Sequence, residues 1–393
     1  MTTRDLLARL IGFDTVSRNP NRELMDFVAS WLAERGIESR LIPNTDGSKA
    51  NLYATVGPAD VAGIMLSGHT DVVPVDGQAW TVPAFALTER DGRLYGRGTA
   101  DMKGFVACAL SAMANAAQRR LNVPLHLALS YDEEIGCVGV RSLLEHLTRQ
   151  RFKSRLCIVG EPTMLGVAVR HKGKRAVRAA FTGREGHSAL APRSLNAIHL
   201  ACDFIAQLRE LQQELAAPFA GHDVSDVPYS TIHAGRIAGG IALNIVPNHC
   251  TVDFEIRNTS QDDPDELLAG IEARAQALVN EHRRRIPEAS VCFELFNQYP
   301  GLSTPEDCWA VQFVRSLVGA NGCTEVAFGT EAGLFSTQLK IPSVVCGPGS
   351  MDQGHKPDEY ITLDQINQCE QMLERLLERM CRTSGLSVAA DAS

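Results

Sequence analysis

Several things are missing from this sequence. No apolar run approaches the length of a membrane span, which excludes a chain threaded through a bilayer by helices. The N-terminal MTTRDLLARLIGFDT has neither a long apolar core nor a small-residue cleavage site, so no secretory signal is expected. There is no CxxC. The 11 cysteines are an odd number, scattered singly, and most sit inside apolar runs such as FVACALSAM and PSVVCGPG. There a thiol behaves as a small core residue, and the protein is expected to be reduced and cytoplasmic. Positive charge is in deficit: a net charge of -8 argues against nucleic acid or an anionic membrane as partner. Repeats and low-complexity tracts are absent. CGPGS is a glycine turn and not a G-x-G-x-x-G opening a helix, which excludes the dinucleotide fingerprint.

What is present is a globular chain of 393 residues, 45% hydrophobic and 21% charged, too long for one ordinary core. Helical spacing in DLLARLIGF, ELMDFVASWLAERGI, MKGFVACALSAMANAAQRR and GVRSLLEHLTRQ alternates with apolar strands in NLYATVG, GIMLSGHT, VPLHLALSYDEE and RLCIVGEP. That order predicts an α/β sheet covered by helices on both faces. From about residue 177 the pattern becomes β-α-β-β-α-β, a small ferredoxin-like sandwich, before helix, strand and helix return. The expected organisation is a catalytic domain of residues 1–176 and 294–393, interrupted by an inserted domain of residues 177–293. The tail SGLSVAADAS is expected to fray.

In such sheets ligands gather beyond the carboxyl ends of the strands. His69, Glu133, Glu134 and Glu161 all stand at the C-terminal end of an apolar strand, and Asp101 just before a helix. Asp71 follows His69 by two residues, and His355 lies in GSMDQGHKPDEY. Singly, each has a plain reading: a solvated turn, a loop, a helix N-cap. Together they crowd one edge of one sheet. Two imidazoles and several carboxylates suit a divalent ion such as zinc, and there are too many anionic groups for one cation. Two ions sharing a bridging carboxylate would balance them. Adjacent side chains on an extended segment diverge, so one of Glu133 and Glu134 can bind metal while the other serves as a general base.

The stretches SGHTDVVPVDGQAW, LYGRGTADMKGF, DEEIGCVGVRSL, GEPT, GREGHSA and GPGSMDQGHKPDEY closely resemble the dinuclear zinc deacylases and carboxypeptidases. RHKGK at 170–174 and GTEAGLF at 329–335 are most similar to the acetylornithine deacetylase group. The resemblance covers nearly the whole chain. It implies a zinc-exopeptidase-like α/β/α catalytic domain and two divalent ions, Zn²⁺ with Co²⁺ as the alternative. Asp101 would bridge them, with His69 and Glu161 completing one site and Glu134 and His355 the other. Glu133 would be the general base, Asp71 would orient His69 from behind, and the Asp101–Met102 peptide would be cis. In the inserted domain, His187 matches a histidine that reaches the partner subunit's active site in a homodimer. Asn244 and Arg257 match residues that bind the oxyanion or the substrate carboxylate.

The implied reaction is hydrolysis of N2-acetyl-L-ornithine to L-ornithine and acetate, a step of arginine biosynthesis, by a metal-activated water. Glu331 in GTEA offers an anionic partner for the ornithine ammonium, or else anchors its own loop. Succinyl-diaminopimelate desuccinylation, broad aminoacylase activity, metallocarboxypeptidase activity and an inactive binding relative are the alternatives. His126, His146, His199, His222, His233, His249 and His282 are assigned to surface or core.

Overall fold

The computed structural model describes residues 1–220 and 227–382; His222 and the tail 384–393 lie outside the described residues. The chain divides into two compact units, Met1–His171 with Leu302–Ser393, and Lys172–Gly301. The expected limits at 177 and 293 fall inside the strands Lys174–Thr182 and Ser290–Tyr299. These two are antiparallel register partners from Thr182 with Ser290 to Lys174 with Tyr299. Splitting a ladder would leave backbone groups unpaired, so the division falls where the strands end.

The first unit is built on a nine-stranded mixed sheet. Its centre is four parallel strands in the spatial order Leu125–Ser130, Gly63–His69, Ser154–Pro162 and Ser343–Gly347. Gly63–His69, Leu125–Ser130 and Ser343–Gly347 are buried throughout, as expected for apolar runs covered on both faces. The helices Thr3–Ile11, Arg22–Ala33, Gly104–Ala117 and Leu363–Cys381 contribute to one continuous core with them. Because the four strands run in one direction, their carboxyl ends share one edge. His69 ends its strand, Glu161 stands one residue from the end of its own, and Ser130 leads directly into Asp132–Glu134.

Several short strands escaped the sequence reading, and three of them form a sheet of their own. Thr88–Arg90, Arg93–Tyr95 and Tyr360–Thr362 form a small antiparallel sheet, with Tyr360 paired to Tyr95. At three residues each they are too short to carry a period. This sheet ties the segment after His355 to the segment before Asp101.

In the second unit the antiparallel strands lie in the order Thr231–Gly239, His249–Arg257, Lys174–Thr182 and Ser290–Tyr299. The chain order is strand, helix Ala197–Ala216, two strands, helix Pro264–Arg283, strand. Burial alternates along His249–Arg257, and the covered face packs Val177, Phe181 and Phe254 against Leu200, Phe204 and Ile271 of the two helices. No helix among the described residues is long and apolar enough to cross a membrane.

Candidate metal centre

The two imidazoles sort the carboxylates of the strand ends into two sets. His69 Nε2 lies 3.0 Å from Asp101 Oδ1 and 3.6 Å from Glu161 Oε1. His355 Nε2 lies 3.2 Å from Asp101 Oδ2 and 3.0 Å from Glu134 Oε2. Asp101 therefore turns one oxygen to each histidine. Its segment Thr99–Lys103 is irregular, and the Asp101–Met102 peptide is cis, as the resemblance implies.

His69 donates Nδ1–H to the backbone carbonyl of Asp71 at 2.9 Å, which turns Nε2 toward the carboxylates. The Asp71 carboxylate is 3.6 Å from Nδ1 and acts on the ring through its charge, not through a hydrogen bond. Its oxygens instead accept the backbone N–H groups of Glu133 (3.1 Å) and Glu134 (3.3 Å) and the Ser17 hydroxyl (2.7 Å). One residue thus orients the imidazole with its carbonyl and the acidic pair with its carboxylate.

The donor set fits divalent cations. His69, Glu133 and Glu161 form one group, and His69, Asp101 and Glu134 another, whose potential ligand atoms all lie within 4.8 Å of one another. Glu134 Oε1 is buried without a hydrogen-bond partner. Burial and the charge of Asp101 push Glu134 up to about 7, and burial with neighbouring carboxylates raises Glu133 and Glu161 well above the carboxylate range. Hydrogen bonds to Asp101 and Glu134 lift His355 to about 10. Burial works against a charged His69, yet Glu161, Asp101 and Asp71 hold it well above its ordinary value. The cluster is short of positive charge, and a cation is what the ligands lack.

Glu359, passed over in the sequence, braces the bridging segment. Its side chain is buried, pairs with Arg97 at 2.6 Å, and accepts the N–H groups of Gly98 (3.0 Å), Ala100 (2.8 Å) and Asp101 (3.1 Å). In the sequence Arg97 stands between two glycines, with nothing local to mark Glu359 as its partner.

The model of peptidase family M20/M25/M40 matches residues 65–379. The chain belongs to this family. As an M20-family member it is a hydrolase of amide bonds with a metal-binding centre. It is 35% identical to an acetylornithine deacetylase of Pasteurella multocida over 366 residues, 92% of each chain. An acetylornithine deacetylase of Photorhabdus laumondii is 34% identical over 390 residues, 96% of this chain and 97% of that one. In fold, it matches an M20-family metallo-carboxypeptidase from Sulfolobus solfataricus with a TM-score of 0.74 at 19% identity, covering 96% of this chain and 98% of that one. A dinuclear metal-binding peptidase of the M20 family from Bacillus subtilis matches with a TM-score of 0.68 at 14% identity, over 96% and 98%.

The remaining site candidates of this M20-family chain are placed apart from the cluster in its sequence and differ in setting. Glu331, expected to meet a substrate side chain, is 1% exposed at the start of the helix Ala332–Gln338. Burial raises it to about 7, and His69 and Asp71 are among the charges it feels. It is buried together with the first four residues of that helix, Ala332 to Phe335. In the second unit His187 is exposed, and its Nδ1 accepts the Ala189 N–H at 3.1 Å, which makes Nε2 the donor. Asn244 lies beside it: Ser188 N–H donates to the Asn244 carbonyl at 2.9 Å. Arg257 stands at the far end of the nine-residue strand that begins with His249, held by Glu255 at 3.0 Å and the Tyr299 hydroxyl at 2.6 Å.

Proposed function

We propose that the protein hydrolyses the acetyl amide of N2-acetyl-L-ornithine, releasing L-ornithine and acetate in arginine biosynthesis. The observation that carries this reading is the Asp101 carboxylate divided between His69 and His355, with Glu133 beside them. The choice of acetylornithine rests on relatives of that name that match nearly the full chain.

In this reading Asp101 would bridge two ions, with His69 and Glu161 completing one site and Glu134 and His355 the other. Two Zn²⁺ ions, or Co²⁺ in their place, supply Lewis-acid polarisation and lower the pKa of a water when bound. Glu133 takes the proton of the attacking water and returns it to the leaving amine. The Cys137 thiol, 3.4 Å from Glu133 Oε1, limits the rotation of that carboxylate. Glu134 and Glu161 are left to serve as ligands, a role supported by oxygens that face the imidazoles.

The proposal extends to a homodimer through Lys172–Gly301, in which His187 donates Nε2–H to the oxyanion in the site of the partner subunit. Asn244 would act beside His187, and Arg257 would receive the substrate carboxylate. Supporting a partner, Ile237 on the edge strand Thr231–Gly239 is exposed, as are Ile241 and Leu243 just beyond it. The 11 cysteines are all free thiols, which suits a reducing cytoplasm.

The test is a substrate panel with metal-reconstituted enzyme: acetylornithine, acetylcitrulline, acetylmethionine and succinyl-diaminopimelate. The highest kcat/KM is expected for acetylornithine. A preference for succinyl-diaminopimelate would replace this reading with a desuccinylase, and indifference among acyl amino acids with a broad deacylase.

A further inference from the structure

A cleft of about 650 Å³ opens beside the edge strand Ser39–Pro43, at the end of the sheet opposite the metal centre. His126 lines it and is the second residue of the strand Leu125–Ser130, whose other end leads to Glu133. One wall is aromatic. The rings of Tyr53 and His126 are stacked with centroids 6.0 Å apart. Phe152 meets them edge-on at 5.7 and 4.7 Å. Hydroxyls of Tyr53 and Thr55 each hold His126 Nδ1 at 2.9 Å, so this wall is fixed in place.

The rim is basic. Arg40, Arg151 and Lys153 line the cleft, are exposed, and form no ion pair among the described residues. Elsewhere arginines such as Arg18, Arg119 and Arg184 are matched to carboxylates. Glu38 and Asp60 stand on the same rim but do not pair with the cations. His146, also in the lining, is lowered by burial and by the positive charges of Arg40 and Arg149.

We propose that this cleft binds a small organic anion that joins an acidic group to a planar ring, the ring against Tyr53 and Phe152 and the acid among Arg40, Arg151 and Lys153. The volume lies within the roughly 300–1,000 Å³ of small-molecule sites. Aromatic faces give a planar group its contact area, and unpaired guanidinium groups give an acid its strongest hydrogen bonds. None of these residues belongs to the metal centre, so occupancy is independent of the hydrolytic site.

Calorimetric titration of the metal-loaded enzyme with adenosine monophosphate tests this, because adenosine and inorganic phosphate provide the ring and the acid separately. The monophosphate should bind with a Kd below about 1 mM and at least about tenfold more tightly than either half. The double variant Arg40→Gln, Lys153→Gln should weaken it at least about tenfold and leave kcat and KM for the acetyl amide unchanged. Phe152→Leu should reduce the advantage over phosphate alone. The proposal is overturned if the monophosphate does not bind by about 10 mM. It is equally overturned if the double variant binds as the parent does, or if phosphate alone binds as tightly.

Discussion

Replacing Glu359 by glutamine perturbs how the centre is held without substituting any proposed ligand. Glu359 is 1% exposed, pairs with Arg97 and accepts three backbone N–H groups of the bridging segment. The amide has almost the same shape but no charge and only one acceptor oxygen. Arg97 becomes a buried cation without its counter-ion, and at least one N–H loses its acceptor. Stranding a buried charge costs about 3–5 kcal/mol, and an unsatisfied buried amide about 1–3 kcal/mol. The two overlap, and Arg97 keeps Gln78 at 2.6 Å, so about 4 kcal/mol in all is expected. That is a large share of the 5–15 kcal/mol that typically separates folded from unfolded chains. Loosening the backbone of Asp101 should also lower metal affinity about 10–100-fold. Urea unfolding of chelator-treated protein reads the first effect, and competition with a zinc-binding dye reads the second. Adding Arg97→Met should recover much of the stability and little of the affinity. Wild-type values in both assays for Glu359→Gln alone would refute the bracing role.

Other outcomes derive from the same geometry. Glu133→Gln should retain metal while turnover falls about 10²–10⁴-fold, and a near-parental kcat would remove Glu133 as the base. Mixing His187→Ala with Glu133→Gln protein should recover activity in heterodimers; verified subunit exchange without recovery would show that His187 does not act across an interface. Glu331→Gln should lower kcat for acetylornithine and acetylmethionine alike, since its burial keeps it from either side chain, whereas a KM effect confined to acetylornithine would place it in contact with substrate. Burial holds His126 down to about 4 against an ordinary 6.5, so between those values the unfolded chain takes up a proton that the folded one refuses. Stability should therefore be full above pH 6.5 and fall by up to about 3 kcal/mol as pH drops toward 4. His126→Gln should remove that part of the slope, and identical slopes in unfolding titrations would count against the burial argument.

Much of the site was legible because the strands carrying it are long, apolar and parallel. GIMLSGH, LHLALS and SRLCIVGEP announce themselves, and their shared direction puts the residues at their carboxyl ends on one edge. Asp101 and His355 end no strand; they were gathered into the cluster by residue type, and the resemblance supplied their roles. Glu359 was not legible: its value depends on Arg97 and on a three-residue strand pairing, and neither local periodicity nor composition reports a contact between residues so distant in sequence. Asp71 was expected to orient His69 and does so through its carbonyl, but in sequence a carbonyl and a carboxylate of one residue cannot be told apart. For Glu331 the sequence left two readings, a substrate contact or a loop anchor, and its burial could not be read from the motif because burial is a property of the packed helix.

The pairing of His171 with Leu302 has a consequence for how the chain assembles. The segment between them is a unit in its own right, and its outermost register partners, Lys174 and Tyr299, close it at the base. Were that segment an unstructured loop, joining its ends would cost about 4 kcal/mol of chain entropy. Once it has folded, its two exits are already neighbours, and the strand that bears His171 meets Leu302 at almost no further entropic expense. The two stretches of the hydrolytic unit, one carrying His69 through Glu161 and the other His355, are then joined by a staple instead of a tether. Slowing the folding of residues 172–301 should accordingly delay completion of a metal centre to which they need contribute no ligand.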